Sequence, residues 1–449
     1  MKTFNSFIQH QFALILIPPL IAIIGYIIQN ILFNILSHYA STDLVGDIGI
    51  TLRVILLIST VILLGTNIIS QRYFSNLIKS DVKADIYQFL GWNYKLLFRN
   101  CAIAIVLILI ITMIICLLEY LDIYTLDIFH LSFYLLLCNP IAAIAATMIG
   151  FFLCNRNVYL YTLFNSVVLY LFILILFLLL ILFNIKINYL TASIVLYVTY
   201  FLSVIVEYHI LKSLKPYFNL TTLFHVLSPK YVVTSTNIKK YHPVSLRLFY
   251  NKICNILLIA CGIFILEIID KNEKLIGVYA VILIINRILH ILPKYIFSSL
   301  RPQINYLTEV KPNPEVLQNK WNSYMLVNLL IIIIIALTII IFSKDILRIF
   351  GLYYSIEGHL ALIILTFSYT IFATTLPLEA LLSLSNNEKK LMISNYISLG
   401  FMIILTLILI YMYSLVGAVL ASAITMLFRG AIFIVIIRKN IKIKSLIFL

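Results

Sequence analysis

The sequence predicts an all-α polytopic membrane protein, with twelve membrane-spanning helices arranged as two six-helix lobes related by a pseudo-two-fold axis. Three observations predict it. Of the 449 residues, 63% are hydrophobic and 11% charged, with a mean hydropathy of +1.09. A soluble domain is nearer half apolar and about a quarter charged, so too little polar surface is present to cover a soluble body of this length. Apolar windows long enough to cross a bilayer recur along the whole chain. Finally, the basic residues crowd alternate connections between those windows.

The windows fall near 11–33, 48–69, 99–118, 129–152, 161–183, 190–211, 248–269, 277–298, 322–343, 359–383, 391–412 and 415–437. The N-terminal stretch lacks the charged leader and small-residue cleavage site of a signal peptide, so it is expected to be a retained first span. Pro18 and Pro19 should kink that span, and Gln29, Asn30 and Asn34 make its outer end polar. The last two spans are joined only by Tyr413 and Ser414 and should form a tight helical hairpin.

Orientation follows from the charges. With both termini in the cytoplasm, 22 Lys and Arg residues lie inside and 5 outside. Inversion would place the 22 outside, against the positive-inside rule. Acidic residues lean the other way, nine outside against five inside. This charge distribution accounts for the formal net charge of +15 without any nucleic-acid partner. The outer loops are short and leave no room for a folded extracytoplasmic domain.

The longest polar connection, 212–247, has six basic residues, three prolines and no acid. It reads as a basic cytoplasmic linker on the inner membrane surface, joining an N-terminal lobe at 1–211 to a C-terminal lobe at 248–449. The two lobes carry matching segments. Span two opens with IGITLR (48–53) and closes with SQRYFSNL (70–77); span eight opens with IGVYAV (276–281) and closes with SLRPQINYL (299–307). Pro140 and Pro377 each precede a short polar inner turn. Six spans per lobe give both the same topology, related by an axis along the membrane normal.

Ionisable residues inside spans are the natural place to look for function, because hydrocarbon tolerates them only against protein or water. They are Arg53, Glu207, Lys252, Glu267, Arg287, His290, Lys294, Glu379 and Arg429. Glu207, Lys252, Lys294 and Glu379 lie near the inner end of their spans, where long side chains can reach the interface. Arg287 does not have that escape, since it sits roughly 15 Å from either end of its helix. Arg287, His290 and Lys294 share an arc of about 60° on one helical face. The expected alternatives for Arg287 are a cavity-lining role or a buried pair with Glu267 or Glu379. Span two carries Arg53, Thr60 and Asn67 at seven-residue spacing, a second polar stripe. Asn251 and Asn255 lie one turn apart in span seven. This inventory is cationic in its middle and rich in amides and hydroxyls. Arginine forks suit phosphate and carboxylate oxygens, and amides suit sugar hydroxyls. Glu379, next to the kink expected at Pro377, and Glu267 are candidates for coupling to a proton or sodium ion.

Other chemistries lack a signature. No G-x-x-x-x-G-K-[ST] motif is present, and no nucleophile–base constellation stands out. None of the six cysteines pairs with another in an outer loop, and no Cys/His spacing suits a metal, so neither disulfides, a metal site nor a cofactor is expected.

The segments IGVYAVILIINRILHILPKYIFSSLRPQINYL (276–307), 345–401, LVGAVLASAIT (415–425) and LGTNIISQRYFSNLIKSD (64–81) together resemble the polysaccharide flippases of the multidrug/oligosaccharidyl-lipid/polysaccharide exporter superfamily, and most of all its O-antigen flippases. The resemblance implies a V of two lobes, as in the multidrug exporters, opening alternately to the two sides of a bacterial inner membrane. It also implies a cationic lumen and, as substrate, an undecaprenyl-pyrophosphate-linked oligosaccharide. Membrane lipids and the polysaccharide polymerase or ligase machinery are the further partners implied. Arg287 and Arg53, with His290, Lys294, Thr60, Asn67 and Asn255, are then the candidate substrate contacts. The alternatives are a multidrug or cation antiporter of the same superfamily, which would want an acidic cavity, and a membrane polymerase or ligase, which would want a large charged outer loop.

The orientation is directly testable. A phosphatase domain that works only outside the cytoplasm should be active when fused after Asn272 and silent after Thr236. Equal activity at both positions would remove the assignment.

Overall fold

The computed structural model describes residues 2–80, 82–120, 131–154, 157–214, 216–228, 233–270, 272–305, 314–384 and 388–440. Among them there is helix and no strand. The helices are α1 Lys2–Tyr39, α2 Thr42–Leu63, α3 Thr66–Ser80, α4 Lys83–Tyr120, α5 Leu131–Tyr134, α6 Cys138–Cys154, α7 Val158–Leu163 and α8 Leu169–Leu182. They continue as α9 Tyr189–Leu214, α10 Leu220–Leu227, α11 Ser235–Ile269, α12 Glu273–Asn305, α13 Pro314–Ile341, α14 Ser343–Phe350, α15 Leu352–Leu384 and α16 Glu388–Asn440. A π-helical turn at Phe164–Val168 joins α7 to α8 into one membrane-length rod.

Ten of these rods are long and apolar enough to cross a membrane, and Cys138–Phe152 is a shorter apolar helix. The last rod holds two spans, because Ser414 leaves helical geometry at φ 49°, ψ −125°. A Cβ added to Gly417 would lie 1.9 Å from the carbonyl oxygen of Leu409, so the chain folds back tightly there. This is the expected hairpin, and with it the twelve spans of the sequence all have helical counterparts.

The outward faces follow from the solvent. On α4, Ile103, Leu107, Leu109, Met113 and Leu117 are all exposed. A helix apolar on every side is stable with such a face only in hydrocarbon. The helices also run past the apolar windows; α4 starts at Lys83, well before the window that begins at 99.

Contacts divide the chain into two compact units. Unit 1 is Met1–Gly49 with Leu257–Leu449, and unit 2 is Ile50–Ile256. In unit 1, α12 is packed between α1 and α15, and residues Ile276 to Asn286 along it are buried. The first turns of α2 approach α12 closely, so that a Cβ on Gly277 would meet the Thr42 carbonyl oxygen at 2.6 Å. In unit 2, the core is aromatic. Phe74 stacks on Phe89 at 5.4 Å and meets Phe151 edge-on, while Tyr241 meets Phe89 at 5.1 Å.

Span two departs from the sequence reading. It is two helices, broken at Leu64 (φ 45°) and Gly65 (φ 80°). Glycine takes positive φ without the steric cost that other residues meet. Space is short as well, since a Cβ on Gly65 would lie 2.3 Å from the Ser245 carbonyl oxygen. The Ser245 hydroxyl in turn donates to the carbonyl of Leu64. Arg53 and Thr60 therefore share α2, but Asn67 belongs to α3, and the seven-residue stripe does not run along one straight helix.

Gly65→Val should lower the melting temperature of the purified protein markedly, since a strained backbone position alone costs about 1–3 kcal/mol. Unchanged thermal stability of this variant would show that the α2–α3 break tolerates a side chain.

Candidate functional site

Unit 1 assembles a polar network around the cationic face of α12. Arg287 and His290 are three residues apart and so project from one side of the helix. Burial along α12 is relieved where they stand: Val278–Asn286 are covered by protein, whereas Arg287, Ile288 and His290 are partly exposed. The guanidinium of Arg287 donates to the side-chain oxygen of Gln29 on α1. One turn earlier on α1, the Tyr26 hydroxyl donates to the backbone carbonyl of Ile285 at 3.0 Å. The polar C-terminal part of α1 thus holds the arginine from across a helix–helix contact.

His290 leads into a second cluster. Its ring lies parallel to Phe372 of α15, with centroids 5.4 Å apart and an interplanar angle of 2°. The guanidinium carbon of Arg429 lies 5.2 Å from the same phenyl ring and 4.8 Å from Phe433. Arg429 is fully buried, donates from Nε to Asn395 Oδ1 at 3.2 Å and pairs with Glu379 Oε2 at 2.9 Å. Cation–π contact strengthens when the cation is desolvated, and a charge-assisted bond is stronger than a neutral one. Together these contacts offset part of the cost of taking Arg429 out of water.

Glu379 is therefore ion-paired with Arg429, which corrects the reading of it as an isolated acid reaching the interface. Glu207 is also not an interfacial side chain, being 1% exposed within unit 2. Periodicity alone could not separate these cases, because side-chain length permits either path.

The remaining candidates fall as follows. Arg53, Thr60, Asn67 and Asn255 belong to unit 2. Arg53 and Asn255 are partly buried. Thr60 and Asn67 are buried, Asn67 against α6, where a Cβ on Gly150 would lie 2.8 Å from its carbonyl oxygen. Glu267 is partly buried on α11. The side chain of Lys294 lies outside the described residues. The sequence reading gave no role to Arg429, Phe372, Phe433 or Asn395. One signal was available: Phe372 and Glu379 are seven apart and share a face of α15. Arg429 stood out only as a charge inside a span; its partner was hidden, since its bond to Glu379 spans 50 positions of the chain.

The chain matches no protein-family model and no curated protein sequence. Its fold does match solved structures. An inward-facing multidrug resistance MATE family transporter of the MOP superfamily superposes with a TM-score of 0.66 at 12% identity, covering 93% of this chain and 95% of that one. The lipid II flippase MurJ, in an inward closed conformation, gives 0.64 at 14% identity over 93% and 87%. A MOP superfamily transporter from Pyrococcus furiosus, noted for the reversed polarity of its binding pocket, gives 0.64 at 13% over 96% and 95%. The fold is that of the MOP superfamily transporters.

Arg429→Leu should cost about 3–5 kcal/mol, because it strands Glu379 in a mostly buried position. Arg429→Leu combined with Glu379→Leu should recover much of that loss. Thermal unfolding in detergent separates the outcomes: a single variant as stable as wild type would show that the pair contributes little.

Proposed function

We infer that this protein is a flippase for a lipid-linked oligosaccharide with an anionic headgroup, working by alternating access, and that Arg287 is its principal headgroup contact. The observation that carries the reading is the partial exposure of Arg287 and His290 midway along a helix whose preceding turns are buried. A guanidinium held at this depth offers a forked donor pair to phosphate oxygens. Gln29 holds it in place through a neutral amide. MurJ, a lipid II flippase, shares the fold.

In this reading the substrate is an undecaprenyl-pyrophosphate-linked repeat unit for O-antigen or a similar surface polysaccharide. His290 and Lys294 assist headgroup entry, and Arg53, Thr60, Asn67 and Asn255 are the further candidate contacts that the sequence offers. The chain resides in a bacterial inner membrane with both termini cytoplasmic and passes its product to a polymerase or ligase. Its covalent halves are 1–211 and 248–449, joined by 212–247. Proton or sodium coupling runs through Glu379, whose carboxylate can exchange Arg429 for a cation as the helices shift, or through Glu267.

A second reading is a multidrug antiporter, favoured by the match to the MATE transporter. The fold neighbours named above are transporters and a flippase, which weighs against a polymerase or ligase.

The deciding experiment is complementation of a strain lacking its flippase but making the cognate glycan. Arg287→Ala should cut surface glycan about tenfold or more at equal protein level, the loss of one charge-assisted contact, while Arg287→Lys retains part of it. Normal glycan with Arg287→Ala would overturn the assignment. Drug resistance conferred by the wild type without glycan rescue would establish the antiporter instead.

A further inference from the structure

Unit 2 carries a second feature that the flippase reading does not use. A crevice of about 50 Å³ lies where α4, α6 and α9 meet the start of the basic connection. Its walls include Tyr94 and Phe98 of α4, Met148 of α6, Tyr208 of α9, Phe218 in a 3-10 turn and Leu223 of α10. We propose that this crevice and the cations around it form a binding site for a resident anionic glycerophospholipid, with α10 lying in the membrane surface beside it.

The short helix α10 supports an interfacial position. Asn219 caps it, its side chain accepting from the backbone of Thr222 at 2.7 Å. Thr222 and Val226 face protein, while Leu220 and Phe224 are 49% and 69% exposed. A helix that buries one side and leaves leucine and phenylalanine open on the other is stable with that side in acyl chains. Side chains tie it to α4. Tyr87 meets Tyr217 edge-on at 6.5 Å and His225 at 6.2 Å, and Lys95 Nζ donates to the Ser228 carbonyl at 3.1 Å.

Charge selects the lipid class. Lys95, Arg99 and Lys212 each stand one position from a lining residue on α4 or α9, about 100° around the helix from it. Arg99 and Lys212 are exposed. The connection 212–247 contains six basic residues and no acid. Basic clusters of this kind at the end of membrane helices attract phosphate-bearing headgroups. The crevice accepts the upper part of an acyl chain, and its small volume suits a fixed lipid rather than a bulky oligosaccharide cargo.

The test uses the full-length protein in detergent and native mass spectrometry, with phosphatidylglycerol and phosphatidylethanolamine of identical chains as probes. Wild type should retain phosphatidylglycerol about thirtyfold more than phosphatidylethanolamine, the effect expected of two surface cations. Arg99→Gln with Lys212→Gln, both at exposed positions, should erase the preference. Leu223→Trp, which fills the crevice, should reduce retention of both lipids. Equal retention of the two lipids by wild type would overturn the proposal. So would an unchanged preference in the double variant, or full displacement of phosphatidylglycerol by equimolar undecaprenyl pyrophosphate. These outcomes are independent of glycan complementation, so this site and the flippase reading stand or fall separately.

Discussion

A guanidinium in hydrocarbon must have its lost water replaced, and the polar architecture of unit 1 follows from that requirement. Arg429 is enclosed: a carboxylate, an amide and two aromatic faces surround it, and it is fully buried. Arg287 is held by an amide of α1 and left partly exposed. The two arginines thus answer the same electrostatic demand in different ways.

The aromatic ring of Phe372 joins these two solutions. It stacks on His290 on one hand and lies within cation–π distance of Arg429 on the other. A displacement of α12 relative to α15 therefore disturbs the surroundings of the Glu379–Arg429 pair without any charged group having to cross between them. Helix-to-helix coupling through packed rings and ion pairs is the physical form that communication in such a fold can take.

Packing around α12 also explains why α1 groups with the C-terminal helices. Gln29 and Tyr26 bind α12 directly, and the chain then enters α2 at a point where Thr42 lies against Gly277. Only a glycine allows the backbone approach there, so the matching IG openings of spans two and eight mark more than a repeat. In span eight, the glycine is where another helix crosses.

The sequence by itself determined the fold class, the number of spans and the final hairpin. Each rests on local quantities: hydropathy over a window and charge per loop. Where residues had to be paired across the chain, it was silent. Glu379 and Arg429 meet across 50 positions, Gln29 and Arg287 across 258, and neither pairing leaves a periodic trace. The break at Leu64–Gly65 was equally hidden, because an apolar window reads the same whether the helix within it is straight or broken. Only the tertiary structure decided these points, since a buried charge takes its partner from whichever helix packs beside it, and that neighbour is a property of the fold rather than of the local sequence.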